Sequence, residues 1–219
     1  RVLSGYVDGI MYRSFSHTSV VELAKYATVP VINALSDFEH PCQILADLQT
    51  IMEKKGLDGT VTAFVGDGDN NVTNSLILAC AIMGMKINIG APKEYQPQKK
   101  VLEMAKAVNS KAKIFITDDP KEAVRDADVV YTDTWVSMGA EKEAEKRRKV
   151  FNAYQLNKEL LENCKNRDYI VLHDLPAHRG EEITDEVMDS EKSAIFAQAE
   201  NRMHAQKAVL FYLLGGKNA

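Results

Sequence analysis

The sequence predicts an α/β fold in which parallel strands are covered by helices. Three observations carry that prediction. Short runs rich in Val, Ile and Ala alternate with longer amphipathic segments. The breaks between them are marked by Gly, Pro, Asn and Asp. Polar residues with chemistry to offer gather just past the runs, where open α/β sheets bind their ligands.

Residues 7–13 form a first strand that ends in Arg13. Ser16 or Thr18 caps the segment 19–27, which places Val20, Leu23, Ala24 and Ala27 on one face. Residues 29–35 return as a second strand, completing a strand–helix–strand unit. The stretch Glu39-His40-Pro41-Cys42-Gln43-Ile44-Leu45-Ala46-Asp47-Leu48-Gln49-Thr50 opens the next helix. Pro41 suits a first helical position, Ser36 and Asp37 are capping candidates, and Ile44, Leu45, Leu48, Ile51 and Met52 form the apolar stripe. His40, Gln43 and Asp47 share a neighbouring polar face. A histidine and a glutamine there sit where the helix dipole favours an anion, although a plain surface cap has the same pattern.

Lys54-Lys55-Gly56-Leu57-Asp58-Gly59 is a glycine-marked break and a candidate domain boundary. A second unit follows: strand 60–65, the turn Gly66-Asp67-Gly68-Asp69-Asn70-Asn71, apolar helix 72–83 and strand 86–89. Gly-x-Gly after a strand suggests a dinucleotide site, but the third glycine position holds Asn71 and no acidic residue closes the following strand. The paired asparagines are more informative, offering neutral donors and acceptors over a strand end. Helix 97–110, strand 112–116, short helix 119–126 and strand 127–132 continue the pattern. The last delivers Asp133-Thr134-Trp135-Val136-Ser137-Met138-Gly139, with the chain's one tryptophan. The charged helix 141–149 reads as a solvated face, or as part of a lid. Strand 169–172 ends in His173-Asp174-Leu175-Pro176-Ala177-His178. The two histidines invite a metal reading, but the turn-rich spacing does not put both rings on one helix face and no third ligand is obvious. A short helix over 183–188, a last strand over 193–196 and a long helix over 200–214 close the chain. In that helix Met203, Ala205, Val209, Leu210 and Leu213 are the apolar members, with Asn201 and Arg202 at its start.

The totals bound the function. A chain of 219 residues makes one large domain or two small ones. Its 45% hydrophobic and 26% charged content is ordinary for a globular protein, and a net charge of −4 gives no basic field for nucleic acid or an anionic membrane. No apolar run approaches the ~18 residues that span a bilayer. Three widely spaced cysteines, Cys42, Cys80 and Cys164, favour a reducing compartment and so a cytoplasmic location. The opening Arg1-Val2-Leu3-Ser4 lacks an initiator Met and looks like a cleaved or truncated chain.

In this order the motifs resemble the aspartate/ornithine carbamoyltransferase family, on its ornithine side. Five stretches carry the resemblance: Tyr12-Arg13-Ser14-Phe15-Ser16-His17, His40-Pro41-Cys42-Gln43, residues 66–75 with Asn70-Asn71, Asp133-x-Trp135-x-Ser137-Met138-Gly139, and His173-x-Leu175-Pro176 followed by Glu200-Asn201-Arg202. The resemblance implies two Rossmann-like domains, the N-terminal one incomplete. Residues 1–38 would be the remainder of the carbamoyl-phosphate domain, 39–56 the interdomain helix, 57–197 the ornithine domain and 198–219 a returning helix. It implies attack of the δ-amino group of L-ornithine on carbamoyl phosphate, giving citrulline and phosphate, with no metal or organic cofactor. Arg13, His40 and Arg202 would address the carbamoyl oxygen and the phosphate, and Gln43 the carbamoyl NH₂. Asn71, Asp133, Ser137, Met138 and the backbone of Leu175 would hold ornithine. Family members are commonly trimers or multiples of trimers, so a homo-oligomer is implied.

Two departures from the family pattern are visible. Asp174 stands where the motif normally reads His-Cys-Leu-Pro. A carboxylate there favours a protonated, non-nucleophilic amine, or acts as a general base if its own pKa is raised, so altered activity is expected. The second departure is that no Ser-x-Arg-Thr-Arg motif for the phosphate is present, so a chain of this extent is expected to turn over little. Three rival readings remain: a carbamoyltransferase for a related amine such as putrescine, a non-catalytic assembly or regulatory paralogue or fragment, and a dinucleotide-binding oxidoreductase.

Overall fold

A computed structural model of the chain describes residues 1–136 and 141–215. Two parallel sheets lie along it. The first pairs β1 (Ile10–Arg13) with β2 (Val31–Leu35), joined by α1 (His17–Tyr26). Their register slips by one residue between Tyr12 and Arg13, leaving Ala34 as the extra residue opposite. Such a bulge re-aims the side chain that follows it, here Arg13. Ser16 caps α1 by accepting from the Ser19 N–H.

The second sheet has five parallel strands: β3 (Val61–Val65), β4 (Lys86–Gly90), β5 (Lys113–Thr117), β6 (Val129–Thr132) and β7 (Ile170–His173). Their spatial order is β5-β4-β3-β6-β7. The chain winds outward one way from β3 and the other way from β6, so the topological switch point lies between those two strands. Both faces are covered, and period-two alternation sorts the residues. Phe64, Val129, Tyr131 and Leu172 pack on one face beneath α2 (Pro41–Lys54), α3 (Asn71–Met83) and α4 (Lys99–Val108). Ala63, Val65, Val130 and Val171 pack on the other, against α5 (Pro120–Val124), α6 (Ala144–Phe151), α7 (Lys158–Leu161) and α8 (Asp185–Met188).

The last helix, α9 (Ile195–Leu210), packs along α2. This corrects the expected strand over 193–196. Ser193 only bridges Val171, and Ile195 already starts the helix, which puts Arg202 two turns inside it. The buried face of α9 is Ile195, Gln198, Asn201 and Ala205, so two of its four buried residues are polar. Met203 and Leu210, expected in the apolar stripe, are exposed. A short apolar run beside a polar helix face misleads any reading by hydrophobic periodicity. In α2 the stripe holds for Ile44 and Ile51, but Leu45 and Met52 face outward. Ser36 and Asp37 do not cap α2: Ser36 Oγ accepts from the Glu39 N–H, and Asp37 caps α1 by accepting from the His17 N–H.

The glycines read as a possible dinucleotide fingerprint have local roles. Gly66 sits at φ 137°, in the region that favours glycine. A Cβ on Gly68 would lie 2.8 Å from the Tyr95 carbonyl oxygen.

Candidate active site

Loops from the carboxyl ends of β1, β2, β3, β6 and β7 and the first turns of α2 and α3 surround a cleft of about 760 Å³. Arg13, His40, Asn71, Asp133, Asp174, Leu175 and Arg202 all line it. These are seven of the ten positions expected from sequence. Ser137 and Met138 lie outside the described residues, and Gln43 is placed elsewhere.

One wall is cationic. Arg13 leaves the bulge at the end of β1, and Arg202 reaches in from α9. Between them His40 begins α2, its backbone N–H donating to Ser75 Oγ at 2.8 Å. His40 is 5% exposed, and its Nδ1 has no protein partner. Burial pushes its pKa down to about 3, with Arg202 and Arg13 adding to the effect. The ring is therefore neutral at physiological pH and can donate one hydrogen bond without adding charge.

Gln43 stands apart from the other expected site residues. It is 1% exposed and does not line the cleft. Its Nε2 donates to Asp47 Oδ1 at 2.8 Å, and its Oε1 accepts from Arg202 Nη1. Spacing placed it on the His40 face correctly, but the helix turns its amide into the α2–α9 contact.

The other wall is acidic. Asp133 follows β6, with its Oδ1 accepting from the Thr134 N–H at 2.6 Å and its Oδ2 from Asn70 Nδ2 at 3.1 Å. Asn70 also caps α3 by accepting from the Thr73 N–H at 2.7 Å. The paired asparagines thus divide their work: Asn70 braces Asp133, while Asn71 lines the cleft and donates to the Ser36 carbonyl at 2.7 Å. Asp174 lies against Asp133 with Oδ1 lacking a hydrogen-bond partner. Burial and then the Asp133 charge push the Asp174 carboxyl well above the usual carboxylate range. Burial also raises Asp133, against the pull of its own hydrogen bonds. Two adjacent carboxyls in a dry site cannot both ionise easily, so the pair keeps a proton, chiefly on Asp174.

The β7 loop is held by its own polar groups. Leu175 takes φ 60°, a left-handed conformation that is costly for a branched side chain. Its N–H donates to His173 Nδ1 at 2.9 Å, which puts the ring proton on Nε2, 3.1 Å from Glu182 Oε1. Both ring nitrogens of His173 therefore face protein partners, and His178 instead meets Thr134 Oγ1 at 3.1 Å.

Arg147 and its partner Asp67 also line the cleft and were not among the residues expected there. Arg147 belongs to the charge run read as a solvated face, yet its side chain is only 13% exposed. It donates to Asp67 Oδ2 at 2.6 Å and to the Trp135 carbonyl at 3.1 Å, and lies over the Tyr95 ring. Burial raises the Asp67 carboxyl, and Arg147 opposes that rise. The available signal was Phe151, one turn beyond Arg147, which is an apolar anchor inside the charged run.

Comparison with known proteins gives the same picture. The family described as aspartate/ornithine carbamoyltransferase, carbamoyl-P binding domain, matches residues 1–53. The companion Asp/Orn binding domain matches residues 58–213. The ornithine carbamoyltransferase of Thermococcus kodakarensis is 56% identical, over 99% of this chain and 69% of its own length. The anabolic ornithine carbamoyltransferase of Pyrococcus furiosus is 54% identical over the same shares. A solved structure of ornithine carbamoyltransferase from Pyrococcus furiosus superposes with a TM-score of 0.93, covering 99% of this chain and 69% of that one at 53% identity. Ornithine transcarbamoylase from Giardia lamblia gives a TM-score of 0.90 at 36% identity, covering 98% of this chain and 73% of that one. By fold, sequence and the layout of its cleft, the chain belongs to the aspartate/ornithine carbamoyltransferase family.

Proposed function

We propose that this cleft transfers the carbamoyl group of carbamoyl phosphate to the δ-amino group of L-ornithine, releasing citrulline and phosphate. The observation that carries the reading is the polarity of the cleft: two arginines and a neutral histidine line the same cavity as a pair of carboxyls, at the sheet's switch point. A phosphate fits the first wall and an ammonium group the second.

In this reading Arg13 and Arg202 hold the phosphate of carbamoyl phosphate, and His40 donates to the carbamoyl oxygen. Negative charge on that oxygen grows as the amine nitrogen attacks, and fixed donors in a dry site favour the resulting tetrahedral intermediate. The C–O bond to phosphate then breaks with its electron pair leaving on phosphate, and the attacking nitrogen passes a proton to that departing phosphate. Asp133 takes the α-amino group, and Asn71, with Ser137 and Met138, takes the α-carboxylate. Leu175 supplies backbone contacts near the reacting amine. No step requires a metal or an organic cofactor. The working divisions are residues 1–38, the helix of 39–56, residues 57–197 and the returning segment 198–219. The setting is cytoplasmic arginine metabolism, in a trimer or a multiple of trimers.

Asp174 tunes this chemistry. When ionised it holds the δ-amine as ammonium, which cannot attack; when protonated it offers no base. Transfer in this chain is therefore slower than in its Asp174→Cys variant. Citrulline release from carbamoyl phosphate and L-ornithine, followed against pH in both forms, tests this. A faster Asp174→Cys variant with a changed pH profile is expected, and equal rates contradict the impairment.

A second reading, carbamoyl transfer to a diamine such as putrescine, is favoured by one observation. Asn71 Nδ2, the expected donor to an α-carboxylate, commits one of its two N–H groups to the Ser36 carbonyl. A panel of amine acceptors separates the two readings: preference for L-ornithine supports the first, and preference for putrescine the second.

A further inference from the structure

Behind the cleft, and outside it, lies a carboxylate that the proposed chemistry does not use. Asp47 is 0% exposed, in the second turn of α2. Its Oδ1 accepts from Gln43 Nε2 at 2.8 Å and from Gln198 Nε2 at 2.7 Å, and its Oδ2 accepts from the Tyr131 hydroxyl at 3.0 Å.

The consequence follows from amide chemistry. An ionised carboxylate only accepts hydrogen bonds, so both glutamines must turn their NH₂ ends toward it. Their oxygens are thereby left to accept from other donors. Gln43 Oε1 accepts from Arg202 Nη1, on the cationic wall. Gln198 Oε1 accepts from the His173 N–H at 2.9 Å. His173 in turn accepts from Leu175 N–H, on the acidic wall. One buried carboxylate thus sits at the junction of two hydrogen-bonded arms, each ending at a different wall.

We propose that Asp47 is a positioning residue for carbamoyl transfer: by fixing the amide polarity of Gln43 and Gln198, it aims the Arg202 guanidinium on one wall and the His173–Leu175 backbone on the other. The proposal rests on the carbamoyl-transfer reading.

The arms are tested separately and together. Calorimetry measures the binding of carbamoyl phosphate, and of L-ornithine in its presence, to the whole chain and to four variants. Gln43→Met weakens carbamoyl phosphate on the order of tenfold and Gln198→Met weakens L-ornithine similarly, each with little effect on the other ligand. Asp47→Leu weakens both. Asp47→Asn stays within about threefold of the unsubstituted chain, because its amide oxygen still accepts from both glutamines. A merely structural role would lower the melting temperature without this split between ligands and without rescue by asparagine. If Asp47→Leu does not fold, the two glutamine variants carry the test alone.

NMR exchange of the Gln43 and Gln198 side-chain NH₂ protons reads the arms without any ligand, and slow exchange is expected. Fast exchange overturns the proposal. So does a folded Asp47→Leu, or the two glutamine variants together, binding both substrates as the unsubstituted chain does; these results leave the carbamoyl-transfer reading standing. An unsubstituted chain that binds neither substrate while both amides stay protected sinks that reading, and with it the positioning role.

Discussion

His40 illustrates how position and environment separate at the scale of a single residue. Its place just past a strand and ahead of Pro41 marked it in the sequence as a group aimed at an anion. Its neutrality comes from burial and from Arg13 and Arg202, which lie far away in the chain. The imidazole pKa is depressed relative to the unfolded chain, so the neutral ring contributes stability fully above about pH 6.5, and that contribution is lost as pH falls toward 3. We expect the His40 ring resonances to show no titration between pH 4.5 and 8. A midpoint near 6.5 would mean a charged histidine on the cationic wall and a different role. Asp133 and Asp174 make the complementary point. Each was legible from its place after a strand, but their shared proton depends on β6 and β7 being neighbours.

The pairing of α2 with α9 is the least predictable feature at the scale of elements. Its contact is built from Gln43, Asp47 and Thr50 on one side and Gln198 and Asn201 on the other. Hydrophobic periodicity is blind to such a face, so the start of α9 was misplaced and Arg202 seemed to begin a helix that it lies within. The same contact carries a measurable pH dependence. Burial pushes the Asp47 carboxyl up to about 6, against the pull of Gln198, Gln43 and Tyr131. An acid with a raised folded-state pKa is stabilising while protonated, below about pH 4, and that contribution is lost as pH rises through 6. Asp47→Asn removes the penalty. In urea unfolding the variant should gain on the unsubstituted chain between pH 4 and 7, reaching roughly 3 kcal/mol at neutral pH. A pH-independent difference would show that Asp47 is not the titrating group.

For the whole molecule, the strand order β5-β4-β3-β6-β7 decides where the chemistry lies. The alternation of strands and helices was plain in the sequence, since parallel strands covered on both faces are apolar and short. Strand order was not, because nothing local to β3 or β6 specifies that they pair. That pairing brings Asn70 to Asp133 and makes one cleft of motifs spread across the chain. Arg147 was lost for the same reason: a charged residue looks solvated until its partners, Asp67 and Trp135, are placed beside it.

In the proposed reaction the two walls of this cleft hold the two reactants at once. Calorimetric titration of a bisubstrate analogue, with a phosphonate joined to the δ-nitrogen of L-ornithine, tests it most directly. We predict one analogue bound per chain. Arg202→Ala and Asp133→Asn should each weaken binding about tenfold or more, as expected for losing a charge-assisted contact on opposite walls. No binding, or binding indifferent to both substitutions, would contradict that arrangement.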